Sequence, residues 1–227
     1  MRKFRRARKL SSMVMKCPRC VQRVHRSAMQ CPHCGFDIAD VDRVFGEQEV
    51  RLKCLTDAAG VMRKREREAA ERALADFQRK FPQLFFAVYF GTFRELPSLR
   101  QFGFWLLNRG AFEDVDVSRP NEGGILLSVD VGGKSAGISF GYLLQPFLDD
   151  DLTFTALSAA HPFLLQGHYL RATEVVVERM TRILKRQSRR VRRDPERLEA
   201  GAGDNGEGAG EVLERIRANH RSRQPKL

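Results

Sequence analysis

Apolar residues between positions 46 and 80 recur at roughly helical spacing: Val50, Leu52, Leu55, Val61, Met62, Ala69, Ala73, Leu74 and Phe77, with Glu and Arg between them. The pattern predicts a helix over this stretch. Gly60 either breaks it into two helices or interrupts one, and Pro82 ends it. The run Leu84 to Phe90 is short, aromatic and apolar on both faces, so it predicts a central strand. Pro97 suits the first turn of the next helix, where its missing N–H does no harm. Leu99, Phe102, Leu106 and Leu107 give that helix a buried face, and Gly110 stops it. Residues 111–122 are acidic and turn-like. Residues 124–131 and 135–141 read as two strands of a hairpin around Gly132-Gly133. Two helices follow, over 153–166 and 169–190; Pro162 puts a kink or a boundary in the first, and Gly167 separates the two.

The order is helix, strand, helix, β-hairpin, helix, helix. It predicts an α/β fold in which helices cover a small mixed sheet. The 227 residues suit one domain of moderate size with small appendages. We expect a basic, disordered leader over 1–16, a zinc ribbon over 17–45, the α/β domain over 46–190 and a flexible charged tail over 191–227. Within the tail, Gly201 to Gly210 has almost nothing to bury and reads as a linker. Residues 211–219 form either a short charged helix or part of a disordered tail.

No run of eighteen apolar residues is present, so no membrane-spanning helix is predicted. The basic N-terminus leads to Ser11 and Ser12 rather than to the apolar core of a signal peptide, and a cytoplasmic location is expected. Met13 and Met15 offer alternative starts. The net charge of +12 is concentrated in two blocks without an acidic residue, 1–16 and 182–193. Such blocks attract nucleic acid or another polyanion, or else are a solvated arm and a solvated helix end. No aromatic residue interleaves with the second block, as base stacking would require.

Chemistry concentrates in Cys17-Pro-Arg-Cys20 and Cys31-Pro-His-Cys34, two C-x-x-C pairs separated by ten residues. One tight turn in each pair aims two thiolates at one metal, and two such knuckles supply the four ligands of tetrahedral zinc. Pro18 and Pro32 stiffen the knuckles, and Gly35 fits a turn position with positive φ. Four thiolates leave no place for water or substrate, so the zinc is expected to be structural. A redox dithiol is the weaker alternative, because a thioredoxin-type pair follows a strand inside a larger fold. His25 and His33 are expected outside the ligand set, and Cys54 as a small buried apolar residue. Gly132-Gly133-Lys134-Ser135 ends like a P-loop but lacks the earlier glycine, so it reads as a hairpin turn. His161 and His168 stand at helix boundaries and read as caps or core residues. The segment Cys31 to Phe36 resembles the second knuckle of small bacterial N-terminal zinc ribbons, which mediate protein or nucleic-acid contacts.

Five further features, in order, carry a second resemblance: Phe85 to Phe90; Leu96-Pro-Ser-Leu99 through Asn108-Arg-Gly110; Asn121-Glu-Gly-Gly-Ile-Leu-Leu127; Ser139-Phe-Gly-Tyr142; and His161-Pro-Phe163 with Gly167-His-Tyr169. Together, residues 57–190 resemble the TPM domain of thylakoid-lumen and bacterial envelope proteins. The resemblance implies an α/β/α sandwich. It also implies one of three roles: acid phosphatase, calcium binding through loop aspartates, or accessory and assembly work. Asn121-Glu122 stands where the family has Asp-Asn, and His168 where it has Asp. Candidate ligands for a calcium ion are therefore Asn121, Glu122, Asp149, Asp150 and Asp151, which converge if the loops at one sheet edge meet. Alternatively, the three aspartates are a solvated loop that caps the helix near Thr153.

These features lead to a non-catalytic scaffold or accessory factor with an unidentified protein partner. The alternatives are a calcium- or magnesium-dependent phosphatase and a nucleic-acid or polyanion binder.

Overall fold

The computed structural model describes residues 14–25, 28–93, 97–116 and 119–193. The leader, the Gly-rich linker and the helix expected at 211–219 lie outside the described residues, apart from 14–16 of the leader. Its centre is a four-stranded sheet in the order β4 (Leu55–Asp57), β5 (Phe85–Gly91), β7 (Gly124–Asp130), β8 (Ser135–Phe140). The first three strands run parallel and β8 returns antiparallel, with Asp130 opposite Ser135. Helices flank this sheet, so the fold is mixed α/β.

The two middle strands, seven residues each, are the longest of the sheet. Every residue of β7 is buried, and all of β5 except Tyr89. Side chains alternate across a sheet. On one face Phe86 meets Phe77 of α2 (Lys64–Lys80) at 5.4 Å between ring centroids, and Phe90 meets Tyr169 of α5 (Tyr169–Arg193) at 5.5 Å. On the other face Tyr89 packs on Phe102 of α3 (Leu99–Arg109) at 5.0 Å. α4 (Asp150–Leu165) packs on α5 and on β8. Burying aromatic and aliphatic side chains of this kind contributes roughly 1.5–3 kcal/mol each.

The expected helix over 46–80 is corrected: only Lys64–Lys80 is helical. Val50 and Leu52 belong to β3 (Val50–Leu52), which pairs parallel with β6 (Gly110–Phe112), and Leu55 opens β4. Period-2 and helical readings overlap over so few residues, and pairing partners far along the chain decide the outcome. Gly60 sits in a turn at φ +65°, after which the Asp57 carboxylate accepts the N–H groups of Val61 (3.0 Å) and Met62 (2.9 Å). Glu66 then accepts the N–H of Arg63, and the helix begins.

Three further boundaries move. Ser98, not Pro97, starts α3, its hydroxyl accepting the Gln101 N–H at 3.1 Å. α4 starts at Asp150 rather than 153, and it runs through Pro162 without a break. The hairpin turn holds four residues, 131–134, and its positive φ falls on Lys134 rather than on a glycine. The separation of α4 from α5 at Gly167 is as expected: φ is +74°, and the N–H groups of Gly167 and His168 close on Leu164 and Phe163.

Candidate metal centre

The four cysteines sit on two turns with the same hydrogen bonding. In the first turn, Cys17 N–H donates to the Gln22 carbonyl (2.9 Å) and Val21 N–H to the Cys17 carbonyl (3.0 Å). In the second turn, Cys31 N–H donates to the Phe36 carbonyl (2.8 Å) and Gly35 N–H to the Cys31 carbonyl (2.9 Å). A short antiparallel pair, β1 (Val14–Lys16) and β2 (Arg23–His25), brackets the first turn.

All four Sγ atoms lie within 4.8 Å of one another. Cys17 and Cys34 are 3.7 Å apart, and so are Cys20 and Cys31. Zinc–sulfur bonds of about 2.3 Å at tetrahedral angles require sulfurs about 3.8 Å apart. A disulfide requires about 2.05 Å. The close pairs also join one knuckle to the other, which suits a shared metal and not a dithiol within one C-x-x-C. These residues therefore fit a structural zinc, which would take all four thiolates.

Cys17 and Cys31 are buried, and Cys20 and Cys34 partly so. Burial pushes the Cys34 thiol up to about 12 and raises Cys17. Burial acts on Cys31 as well, but hydrogen bonds from the backbone N–H groups of His33 and Cys34 and from the Cys17 and Cys34 side chains together hold that thiol down at about 6. Arg19 lies over the Phe36 ring at 5.0 Å and pairs with Asp40 at 2.9 Å. His25 and His33 are exposed and outside the cluster.

The residue that follows each C-x-x-C pair is of a different kind in the two turns. Gly35 has φ +70°, where glycine costs nothing, whereas Val21 has φ +62°. A β-branched residue there is strained by about 1–2 kcal/mol. Val21 is exposed, so its side chain gains little in return. Val21→Gly should release the strain and give back about 0.5–1 kcal/mol of chain entropy. The expected net gain is about 1 kcal/mol, read as zinc held several-fold more tightly in a competition titration with a chromogenic chelator.

The cysteine turns are tied to the α/β body by elements the sequence reading did not predict. α1 (Ile38–Phe45) opens on Asp37 and Asp40, whose carboxylates each accept the other's backbone N–H. Phe36 packs on Phe104, and Phe45 on Phe102 and Trp105. The Trp105 indole N–H donates to the Gly46 carbonyl at 2.7 Å. Arg109 reaches Asp42 through two hydrogen bonds, at 2.9 and 2.5 Å. Those bonds hold the Asp42 carboxyl below its usual range. A lowered carboxyl stabilises the fold above its unfolded value of about 3.9 and loses that contribution as pH falls through the folded value. Asp42→Asn should therefore lower the urea midpoint at pH 7, and its difference from wild type should shrink as pH drops below 4.

Four of the five candidate calcium ligands are engaged by other groups of the chain. The Asn121 amide donates to the Gly110 carbonyl at 2.8 Å, and Glu122 accepts the Tyr142 hydroxyl. Asp149 caps α4 through the Leu152 N–H at 2.8 Å, and Asp150 pairs with Lys16 at 2.5 Å. Asp151 lies in the first turn of α4. Among the described residues the only group of three or more Cys, His, Asp or Glu with ligand atoms this close is the cysteine cluster. Cys54 is buried, its sulfur accepting the Gln78 amide at 3.3 Å; burial, and then Asp114, push its thiol up. It packs as the small apolar residue expected. His161 and His168 are exposed. Among the described residues no helix is long and apolar enough to cross a membrane.

No family model matches the chain, and no curated protein matches it.

Proposed function

We propose that the protein is a non-catalytic scaffold or accessory factor, in which a structural zinc ribbon is fixed to a TPM-like α/β domain and the whole works through contacts with another protein. The observation that carries this reading is the closed sulfur cluster. Four thiolates at tetrahedral spacing complete a zinc ion's coordination and leave it nothing to react with. The helical face offered by α4 supports protein contact. From Leu152 to Gln166 this helix has no Asp, Glu, Lys or Arg, and Phe154 and Leu165 are 71% and 58% exposed. The two lie about three turns apart on this uncharged stretch of helix, with Ser158 and His161 exposed between them, a mixed surface for a partner to cover.

The test combines three measurements on the full chain. Elemental analysis is expected to return one zinc per chain. Aryl phosphates with calcium or magnesium are expected to show no turnover. Chemical cross-linking in cells is expected to give a discrete adduct that Phe154→Asp removes. Turnover that disappears in an Asp150→Ala variant would replace this reading with the phosphatase one.

A further inference from the structure

α5 is two surfaces in one helix. Its first half buries Ala172, Val175, Val176 and Met180 against the body, where α2 and α4 pack on it. After Glu178 the helix has no acid through Arg193, while it has Arg or Lys at 179, 182, 185, 186, 189, 190, 192 and 193. Arg182, Lys185, Arg186, Arg189, Arg190 and Arg193 line an open cavity of about 650 Å³. Among the described residues only Arg182 of these six is paired with an acid, Glu178. The helix dipole explains cations only in the last turn. It does not explain a run that begins about four turns earlier.

We propose that this face of α5 binds duplex nucleic acid along its phosphate backbone without reading sequence. Residues 182–193 extend about 16 Å along the helix axis, the span of about five phosphates of one strand at 3.4 Å each. Five of the six cavity-lining cations are arginine, whose planar fork pairs two-to-two with phosphate oxygens. The face has no aromatic residue on which an unpaired base could stack, which favours a duplex over a single strand. An anionic membrane fits less well, because a surface helix needs a free apolar face and the apolar face of α5 is already spent on the body. The inference is independent of the zinc-ribbon reading and survives its failure.

The experiment is fluorescence anisotropy of the full chain with labelled 20-base-pair DNA, the same duplex in RNA, and a single strand of equal length. Flotation with phosphatidylglycerol vesicles runs alongside. Four to five phosphate contacts predict a log–log salt slope near −4, an affinity loss of roughly 100-fold or more between 50 and 200 mM salt. The variant Arg186→Gln/Arg189→Gln/Arg190→Gln/Arg193→Gln is expected to weaken duplex binding at least tenfold and to flatten the slope by about three. All four side chains are exposed, and the double variant Arg189→Gln/Arg190→Gln should give about half the change in slope. Removing four exposed cations elsewhere, Lys64, Arg65, Arg67 and Arg72, should leave the slope within one of wild type. Preference for DNA or for RNA identifies the source of the phosphate. Several results would overturn the proposal: an unchanged slope in the α5 variant, an equal loss in the α2 control, tighter binding to the single strand, or binding to vesicles alone.

Discussion

Treatment with a strong zinc chelator is expected to unfold residues 14–36 and to leave the four-stranded sheet intact. The segment has little to hold it otherwise: two three-residue strands and, among the described residues, only Val24 and Phe36 besides Cys17 and Cys31 as buried apolar side chains. Structural zinc contributes about 10–16 kcal/mol in small domains of this kind, far more than such a core supplies. The sheet has an independent core in Phe86, Phe90, Ile125 and Leu127, all essentially inaccessible to solvent. Amide hydrogen exchange checks the expectation. Protection should vanish over 14–36, persist over 85–91 and 124–130, and return when zinc is added back. Loss of protection everywhere at once would mean that the metal holds the whole molecule and not one segment. Cys31→Ser alone should reproduce most of the effect, because three sulfurs and a hydroxyl make a poorer site.

Gly141→Ala is expected to cost about 3 kcal/mol or more, at the upper end of what overpacking does. A Cβ at Gly141 would stand 2.1, 2.3 and 2.5 Å from the carbonyl oxygen, carbonyl carbon and Cα of Glu122. These are backbone atoms and cannot swing aside. Gly141 cannot retreat either, because its N–H donates to the Gly124 carbonyl at 2.9 Å and so fixes the end of β8 to the start of β7. Gly137→Ala is the control: its nearest neighbour would be the Leu99 Cβ at 3.6 Å, ordinary contact. A urea titration of both variants should show a large shift in midpoint for the first and a small one for the second.

Where the sequence was legible, a local signal was strong enough to stand alone. Leu84 to Phe90 is apolar on both faces, too short for a buried helix and rich in aromatics, which selects a strand covered on both sides. The C-x-x-C spacing determined the four-cysteine cluster because the turn geometry that aims two sulfurs at one point is itself local. Asp37 and Asp40 were an equally local signal for α1, an acidic cap three residues before an acidic partner, and Ile38, Val41 and Phe45 gave it an apolar face. Its eight residues make barely two turns, so the periodic pattern is brief. β3 and β6 were not legible in the same way. Each is three residues long, and what makes them strands is that Val50 lies opposite Gly110. Nothing near either residue announces that pairing. The clamp from Asp42 to Arg109 spans 67 positions and leaves no trace in local pattern. The aspartates at 149–151 show the converse. As letters they suggest a cation, but as atoms one caps a helix and another pairs with Lys16.

The chain has one tryptophan, and its indole N–H is bonded to the Gly46 carbonyl, just past the end of α1 and at the entrance to the body. Excitation at the long-wavelength edge, where the indole absorbs and the three tyrosines do not, therefore illuminates a single address, the joint between the cysteine turns and the sheet. Emission that reddens on undocking makes that joint its own optical gauge, and stopped-flow mixing with chelator can time how quickly it parts.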